Sequence, residues 1–192
     1  MKAYVINLKE REDKLKLFRQ NQFPFEVERF EGIHDMPRDN GCAKSHLALL
    51  SNIHEFPCLV CEDDCVLIES WMVVIRALAE LPDEWDALWL GATLTIPLEK
   101  YSDYLFRLKR AHTLHAVIYN SQEMIDYILN HHSFSRHPYI DVFYFEVQQR
   151  FNCFITHPIC ATQRIGFSDI SQKHVNYHDY IIDCYNKNTH GA

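Results

Sequence analysis

Leu59-Val-Cys-Glu-Asp-Asp-Cys-Val-Leu67 sets three consecutive carboxylates, Glu62, Asp63 and Asp64, between two apolar runs. A short apolar run bounded by polar residues is the pattern of a core strand. Carboxylates are almost never buried without a partner, because stripping them of water is costly. The stretch therefore predicts a buried strand whose end carries acids, and those acids either face water in a turn or hold a cation.

Outward from this strand, strands and helices alternate. Ala3-Tyr-Val-Ile-Asn-Leu8 predicts a first strand, residues 11–20 a charged helix with Leu15 and Phe18 on one face, and residues 25–30 a short strand. Residues 43–54 predict a helix carrying Leu47, Leu50 and Ile53 at helical spacing. Beyond the acids, residues 71–81 read as an apolar helix ending at Pro82, and 86–90 as a strand stopped by Gly91. Residues 92–110 form a loop or hairpin, 115–119 another strand, and 122–130 and 139–151 two further helices, while the polar, His-rich stretch from about 171 fits no template. Such alternation predicts βαβ units: an α/β fold with a mostly parallel central sheet flanked by helices.

A chain of 192 residues suits one domain with a single sizeable core, so residues 1–192 are read together. The net charge of −7 gives no basic footprint for nucleic-acid phosphates, and a nucleic-acid partner is not indicated. The opening Met1-Lys-Ala-Tyr-Val-Ile-Asn-Leu8 lacks a signal-peptide apolar core, and no later run approaches the roughly 18 apolar residues of a membrane span. A soluble, cytoplasmic protein without a transmembrane segment is expected. Seven cysteines form no even, regular framework, which points to reduced thiols. Cys58-Leu-Val-Cys61 spells C-x-x-C, but within a strand residues three apart face opposite ways, so the two read as small buried hydrophobes.

In open α/β sheets ligands bind beyond the carboxyl ends of the strands, which is where Glu62, Asp63 and Asp64 would lie. A hard divalent cation such as Mg²⁺ or Mn²⁺ takes oxygen ligands from one or two carboxylates and from substrate phosphates. The acids, on this reading, hold a metal that in turn holds a diphosphate.

Four segments, in order, resemble glycosyltransferase family 25, which includes lipooligosaccharide and collagen galactosyltransferase domains. They are Tyr4-Val-Ile-Asn-Leu-Lys-Glu-Arg11, Asp39-Asn-Gly-Cys-Ala-Lys-Ser-His46 with Leu47, the apolar strand ending in Glu62-Asp63-Asp64, and His157-Pro158 through Gln163 to Ser168-Asp169-Ile170. The resemblance spans roughly residues 3–170. It implies a GT-A type, Rossmann-like fold, a transferase dependent on Mn²⁺ or Mg²⁺, and a nucleotide-sugar donor, usually a uridine diphosphate sugar, in the biosynthesis of lipopolysaccharide or another glycan. Carried over residue by residue, it implies Asp64 as the first metal ligand, Glu62 toward the nucleotide and Asp63 supporting. Ser45 and His46, with Gly41 permitting close approach, and Asp169 fall in the implied donor site. Ala43-Lys44 and the short tail depart from the family pattern and leave the acceptor open: a saccharide first, with a protein hydroxyl or modified base as alternatives.

Other residues are singled out by chemistry. Arg11 follows the first strand and could clamp phosphate oxygens, and Asn7 could approach the uracil or ribose. Asp141 stands in an apolar-aromatic stretch, His137-Pro-Tyr-Ile-Asp-Val-Phe-Tyr144, and is the candidate general base, with Glu146 second. His174 is a candidate imidazole ligand to the metal. The competing classes are a metal-dependent phosphohydrolase or nuclease using the same acids, and a non-catalytic sugar-nucleotide or glycan-binding module.

Overall fold

The computed structural model describes residues 1–137 and 139–189, so the last three positions of the expected domain lie outside the described residues. The elements run β1 (Lys2–Leu8), α1 (Glu12–Phe18), β2 (Glu28–Gly32), α2 (Arg38–Leu50), β3 (Cys58–Glu62), β4 (Cys65–Leu67) and α3 (Trp71–Glu80). Short strands follow: β5 (Ala87–Trp89), β6 (Thr93–Leu94), β7 (Glu99–Lys100), β8 (Leu105–Arg107), β9 (Ala111–His112) and β10 (Ala116–Tyr119). The chain continues through α4 (Gln122–His131), α5 (Ile140–Arg150), β11 (Cys153–Thr156), β12 (Ala161–Gln163), β13 (Gly166–Ser168), β14 (Lys173–Val175) and α6 (Tyr177–Thr189).

Eight strands form one sheet in the order β2-β1-β3-β10-β5-β11-β8-β7. The fold is mixed α/β. The expected mostly parallel sheet is corrected: β1 pairs in parallel with β2 and β3, and β5 with β11, but the other neighbours are antiparallel. The reason is β10, which inserts between β3 and β5 running against both. The chain between β5 and β10 holds only short strands, and a parallel return needs a long crossover, usually a helix.

β3 shows why the opening stretch is apolar on successive residues. Cys58 and Val60 join one core with Leu49, Trp89, Ile128 and Tyr144, whereas Leu59 and Cys61 join another with Leu15, Phe18, Val74 and Phe154. Helices α2, α4, α5 and α6 thus cover one face of the sheet, and α1 and α3 the other. Both cysteines of the C-x-x-C are buried and on opposite faces, as the strand period requires, and both are free.

No helix among the described residues is long and apolar enough to cross a membrane. The tail that fits no template turns out to hold β14, which pairs back on β13, and α6, whose Ile181 and Tyr185, one turn apart, are buried.

Candidate functional site

The carboxyl ends of β1, β2 and β3 open into a cleft with two lobes. The first lobe is lined by the strand-end residues Ile6, Leu8 and Gly32, by Gly41 and His46 of α2, by Lys14, and by the Ser168–Ile170 segment. The second lobe, a cavity of about 400 Å³, is lined by Thr93, His112, Tyr139, Asp141 and Tyr177, among others. Glu62, Asp64, Cys42, Ser168 and Ile170 border both lobes, so the acids stand at the junction.

Glu62 is the last residue of β3, and Asp63 and Asp64 make the turn into β4. Each acid has a different partner. The His46 Nε2 donates to Glu62 Oε1 at 2.9 Å, from an imidazole that is only 1% exposed. Burial pushes the Glu62 carboxyl up, but His46 beside it, aided by His115 and Lys14, brings it below the usual glutamate value.

Asp63 is fixed from the opposite side. The Asn7 amide donates to its Oδ2 at 2.7 Å, and Lys14 Nζ lies 3.6 Å from its Oδ1. Burial nevertheless leaves its carboxyl raised, because those partners do not fully offset desolvation.

Of the three acids, Asp64 alone has a buried oxygen without a partner. Its Oδ2 accepts from Gln163 Nε2 at 3.2 Å, while Oδ1 is buried and has no partner among the described residues. Burial, then the charges of Glu62 and Asp63, push its carboxyl up to about 8. A buried carboxylate oxygen that nothing meets is the observation against which a metal can be tested. The oxygen donor and adjacent carboxylates suit Mn²⁺ or Mg²⁺, so the residues fit.

The other carried-over residues sort into those that line the cleft and those that support it. Gly41 packs α2 against the loop after β2: a Cβ there would stand 2.6 Å from Ile33 O. Ser45 Oγ donates to Gly41 O and accepts from Ile33 N, both at 2.7 Å, so its hydroxyl is engaged in holding that loop. Ser45 and His46 were expected at a helix start, but α2 begins at Arg38 and places them in mid-helix, away from free backbone N–H groups. Asn7 is 1% exposed and lies behind the acids as the anchor of Asp63, which corrects its placement beside a nucleobase.

Asp169 lines the first lobe and is gripped by two cations. Arg11 pairs with its carboxylate, and Lys14 Nζ is 2.8 Å from it. Burial pushes the Asp169 carboxyl up, but Lys14 and then Arg11 bring it below its usual value. Arg11 is also paired with Asp13 at 2.9 Å, so it locks the 168–170 segment onto α1; Lys14 and Arg38 are the cations that face the first lobe.

Two more expectations are corrected. His174 lies exposed on β14, edge-on to Phe167, and lines neither lobe. It stands opposite Phe167 across the β13–β14 hairpin, and neither of the two borders the cleft that holds Asp64. Glu146 is exposed on α5 and accepts from Tyr127, because five residues from Asp141 carries it off the cleft-facing side of the helix. Asp141 does line the second lobe, with its Oδ2 3.2 Å from His112 Nδ1.

Cys42, His46 and Glu62 also place one ligand atom each within 4.8 Å of the others. His46 Nε2 already bonds Glu62 there, and burial followed by the nearby carboxylates holds the Cys42 thiol well above its usual range. For the trio to take an ion, that contact would have to open and the thiol lose its proton. Lys14, Arg38 and His112 were not singled out from sequence, and Gln163 was named there only as part of the fourth resembling segment, with no role; of the first three only Lys14, three residues from Arg11 on a helix, carried any signal.

No family model matches the chain, and no curated protein matches it. Among solved structures it is similar to one titled "Crystal Structure of A197 from STIV", at 11% identity and a TM-score of 0.51, over 93% of this chain and 95% of that one. At that identity the likeness speaks to the fold, which here is the mixed α/β sheet with helices on both faces.

Proposed function

We propose that the chain is a metal-dependent glycosyltransferase with a GT-A type fold, resembling family 25, that moves a sugar from a nucleotide-sugar donor, a uridine diphosphate sugar first, to a hydroxyl acceptor such as a saccharide. The observation that carries the reading is Asp64 Oδ1, buried and unpartnered at the junction of two lobes. A one-substrate phosphohydrolase needs no second lobe; a transferase needs room for donor and acceptor on either side of the bond that breaks.

Asp64 would hold Mn²⁺ or Mg²⁺, whose chemistry is to offset the negative charge that grows on a departing diphosphate. The chain's own residues do the rest. Lys14 and Arg38 line the first lobe as cations for phosphate oxygens, with Arg38 Nη1 now donating to Asp169 O at 3.1 Å. Ile6, Leu8 and Ile33 give that lobe apolar walls for a base or ribose. His46 and Asn7 hold Glu62 and Asp63 in place, so Asp64's open oxygen is not drawn aside.

Thermal stability against UDP, UDP-glucose and UDP-galactose, each with and without Mn²⁺, tests the reading, repeated on Asp64→Ala. A metal-dependent rise that Asp64→Ala abolishes is expected. No rise with a folded protein would overturn the donor and metal assignments. Sugar or phosphate release that no acceptor redirects would favour the hydrolase, and binding with neither transfer nor hydrolysis the binding module.

A further inference from the structure

The second lobe holds a histidine and a carboxylate that the acidic triplet does not use. β9 brings in His112 and the first turn of α5 brings in Asp141, with His112 Nδ1 3.2 Å from Asp141 Oδ2. Asp141 and Phe145 are four residues apart and so share one face of α5. The Phe145 ring meets the imidazole edge-on at 4.5 Å. His112 is also paired through its backbone with Thr93 of β6. Strand pairing and an aromatic edge thus hold one ring beside a carboxylate.

What they leave open is Nε2. Among the described residues no group hydrogen-bonds that nitrogen, and the side chain is 34% exposed where it lines the lobe. A histidine with one nitrogen against a carboxylate and the other open to a substrate cavity is arranged to accept a proton. Catalytic contacts of this kind are often loose before substrate binds.

We infer that His112 is the general base for the acceptor hydroxyl and that Asp141 is its positioning residue, an inference that rests on the transferase reading. The Nε2 lone pair takes the hydroxyl proton as the acceptor oxygen forms its bond to the anomeric carbon. The bond from that carbon to the diphosphate oxygen breaks, and its electron pair leaves with the nucleoside diphosphate. Asp141 keeps the proton on Nδ1, so that the lone pair is on Nε2, and stabilises the imidazolium that results. This reassigns the proton acceptor from Asp141, the sequence-based candidate, to the ring beside it.

The charge of the same lobe selects the acceptor. Asp39, Glu62, Asp64 and Asp141 line it, and no lysine or arginine does among the described residues. Desolvation first, and then the Asp141 charge, raise the Asp39 carboxyl. Tyr139, Tyr177 and Tyr180 supply ring faces and hydroxyls instead. An uncharged sugar hydroxyl fits this lining, and an acceptor carrying phosphate or carboxylate does not.

Three measurements on wild type, His112→Ala and Asp141→Asn test the pair. The first is binding of UDP with Mn²⁺. The second is release of sugar from UDP-galactose or UDP-glucose, to water and to a panel of neutral saccharides. The third is the ¹⁵N NMR signature of the His112 tautomer. Expected are unchanged UDP binding in both variants, a loss of about 100-fold or more in His112→Ala that added imidazole restores in part, and an Nδ1–H tautomer that Asp141→Asn shifts. Full turnover in His112→Ala, or an Nε2–H tautomer in wild type, would overturn the base. Wild type that binds UDP with Mn²⁺ yet turns over neither donor overturns base and transferase together while sparing the metal site; wild type that binds no UDP overturns the reading beneath them.

Discussion

His46 and Glu62 form a hydrogen bond of 2.9 Å between α2 and the end of β3, with the imidazole almost wholly buried. The contact ties a helix on one face of the sheet to the acid at the cleft. Removing the ring strands a carboxylate that burial would otherwise protonate. His46→Ala is expected to lose roughly 1.5–3 kcal/mol, the range for a hydrogen bond to a charged group, read by urea denaturation. Because the folded Glu62 lies below its unfolded value, the stability it adds is present above the ordinary glutamate range and is lost as pH falls through the depressed folded value. The difference between wild type and His46→Ala should therefore shrink in strong acid; a gap that persists unchanged there would show that the ring contributes by packing alone.

Asp64 has the opposite sign. Its folded carboxyl, raised to about 8 by burial and by Glu62 and Asp63, binds a proton more tightly than the unfolded chain does. Stability from this group is complete below the ordinary aspartate range and declines as pH rises toward 8, where the folded form must ionise without a partner. Asp64→Asn should match wild type near pH 4 and exceed it in melting temperature near pH 8.5 without metal. With Mn²⁺ the order should reverse at high pH, since only the carboxylate gains from the cation, and binding should release a proton. Equal pH profiles for the two proteins would remove the buried charge from the account.

Lys14 bridges Asp63 and Asp169, at 3.6 and 2.8 Å. Burial alone would lower its ammonium, yet the three nearby carboxylates raise it, so the lysine is charged in the cleft. Lys14→Ala should weaken UDP binding about tenfold or more and loosen residues 166–175. Hydrogen exchange over that segment, with a double-mutant cycle against Asp169→Ala, measures the pair; coupling of about 1 kcal/mol or more is expected for residues in contact, and none would show that Asp169 is held by Arg11 alone.

How much of this was readable depends on how local each signal is. β1, β3 and α3 announce themselves because one apolar pattern decides each, and the Asp64 end of β3 followed directly. α2 was placed five residues late because its first turns, Arg38-Asp-Asn-Gly-Cys42, are polar and face the cleft, and a glycine inside a helix reads as a breaker. The antiparallel entry of β10 had a local cue in the absence of a helical pattern between residues 92 and 114, which the general alternation masked. His112 and Asp141 come from a two-residue strand and a helix start far apart in the chain, and no spacing joins them. His174 misled because residue type alone says nothing of which way a hairpin faces.

Ser45 separates a structural role from a ligand contact. Its hydroxyl makes two bonds of 2.7 Å, to Gly41 O and from Ile33 N, and the residue is 2% exposed. Ser45→Ala leaves the Ile33 N–H without its acceptor, and an unsatisfied group of this kind costs about 1–3 kcal/mol. Gly41→Ala attacks the same joint sterically, since its Cβ would meet Ile33 O at 2.6 Å with backbone on both sides, at a cost of about 1–3 kcal/mol for an overpacked contact. Both variants should lower the melting temperature while changing UDP affinity with Mn²⁺ by no more than about threefold at a temperature where they remain folded. Should Ser45→Ala instead keep wild-type stability and lose UDP binding, the hydroxyl touches the donor, and the loop after β2 must move to release it.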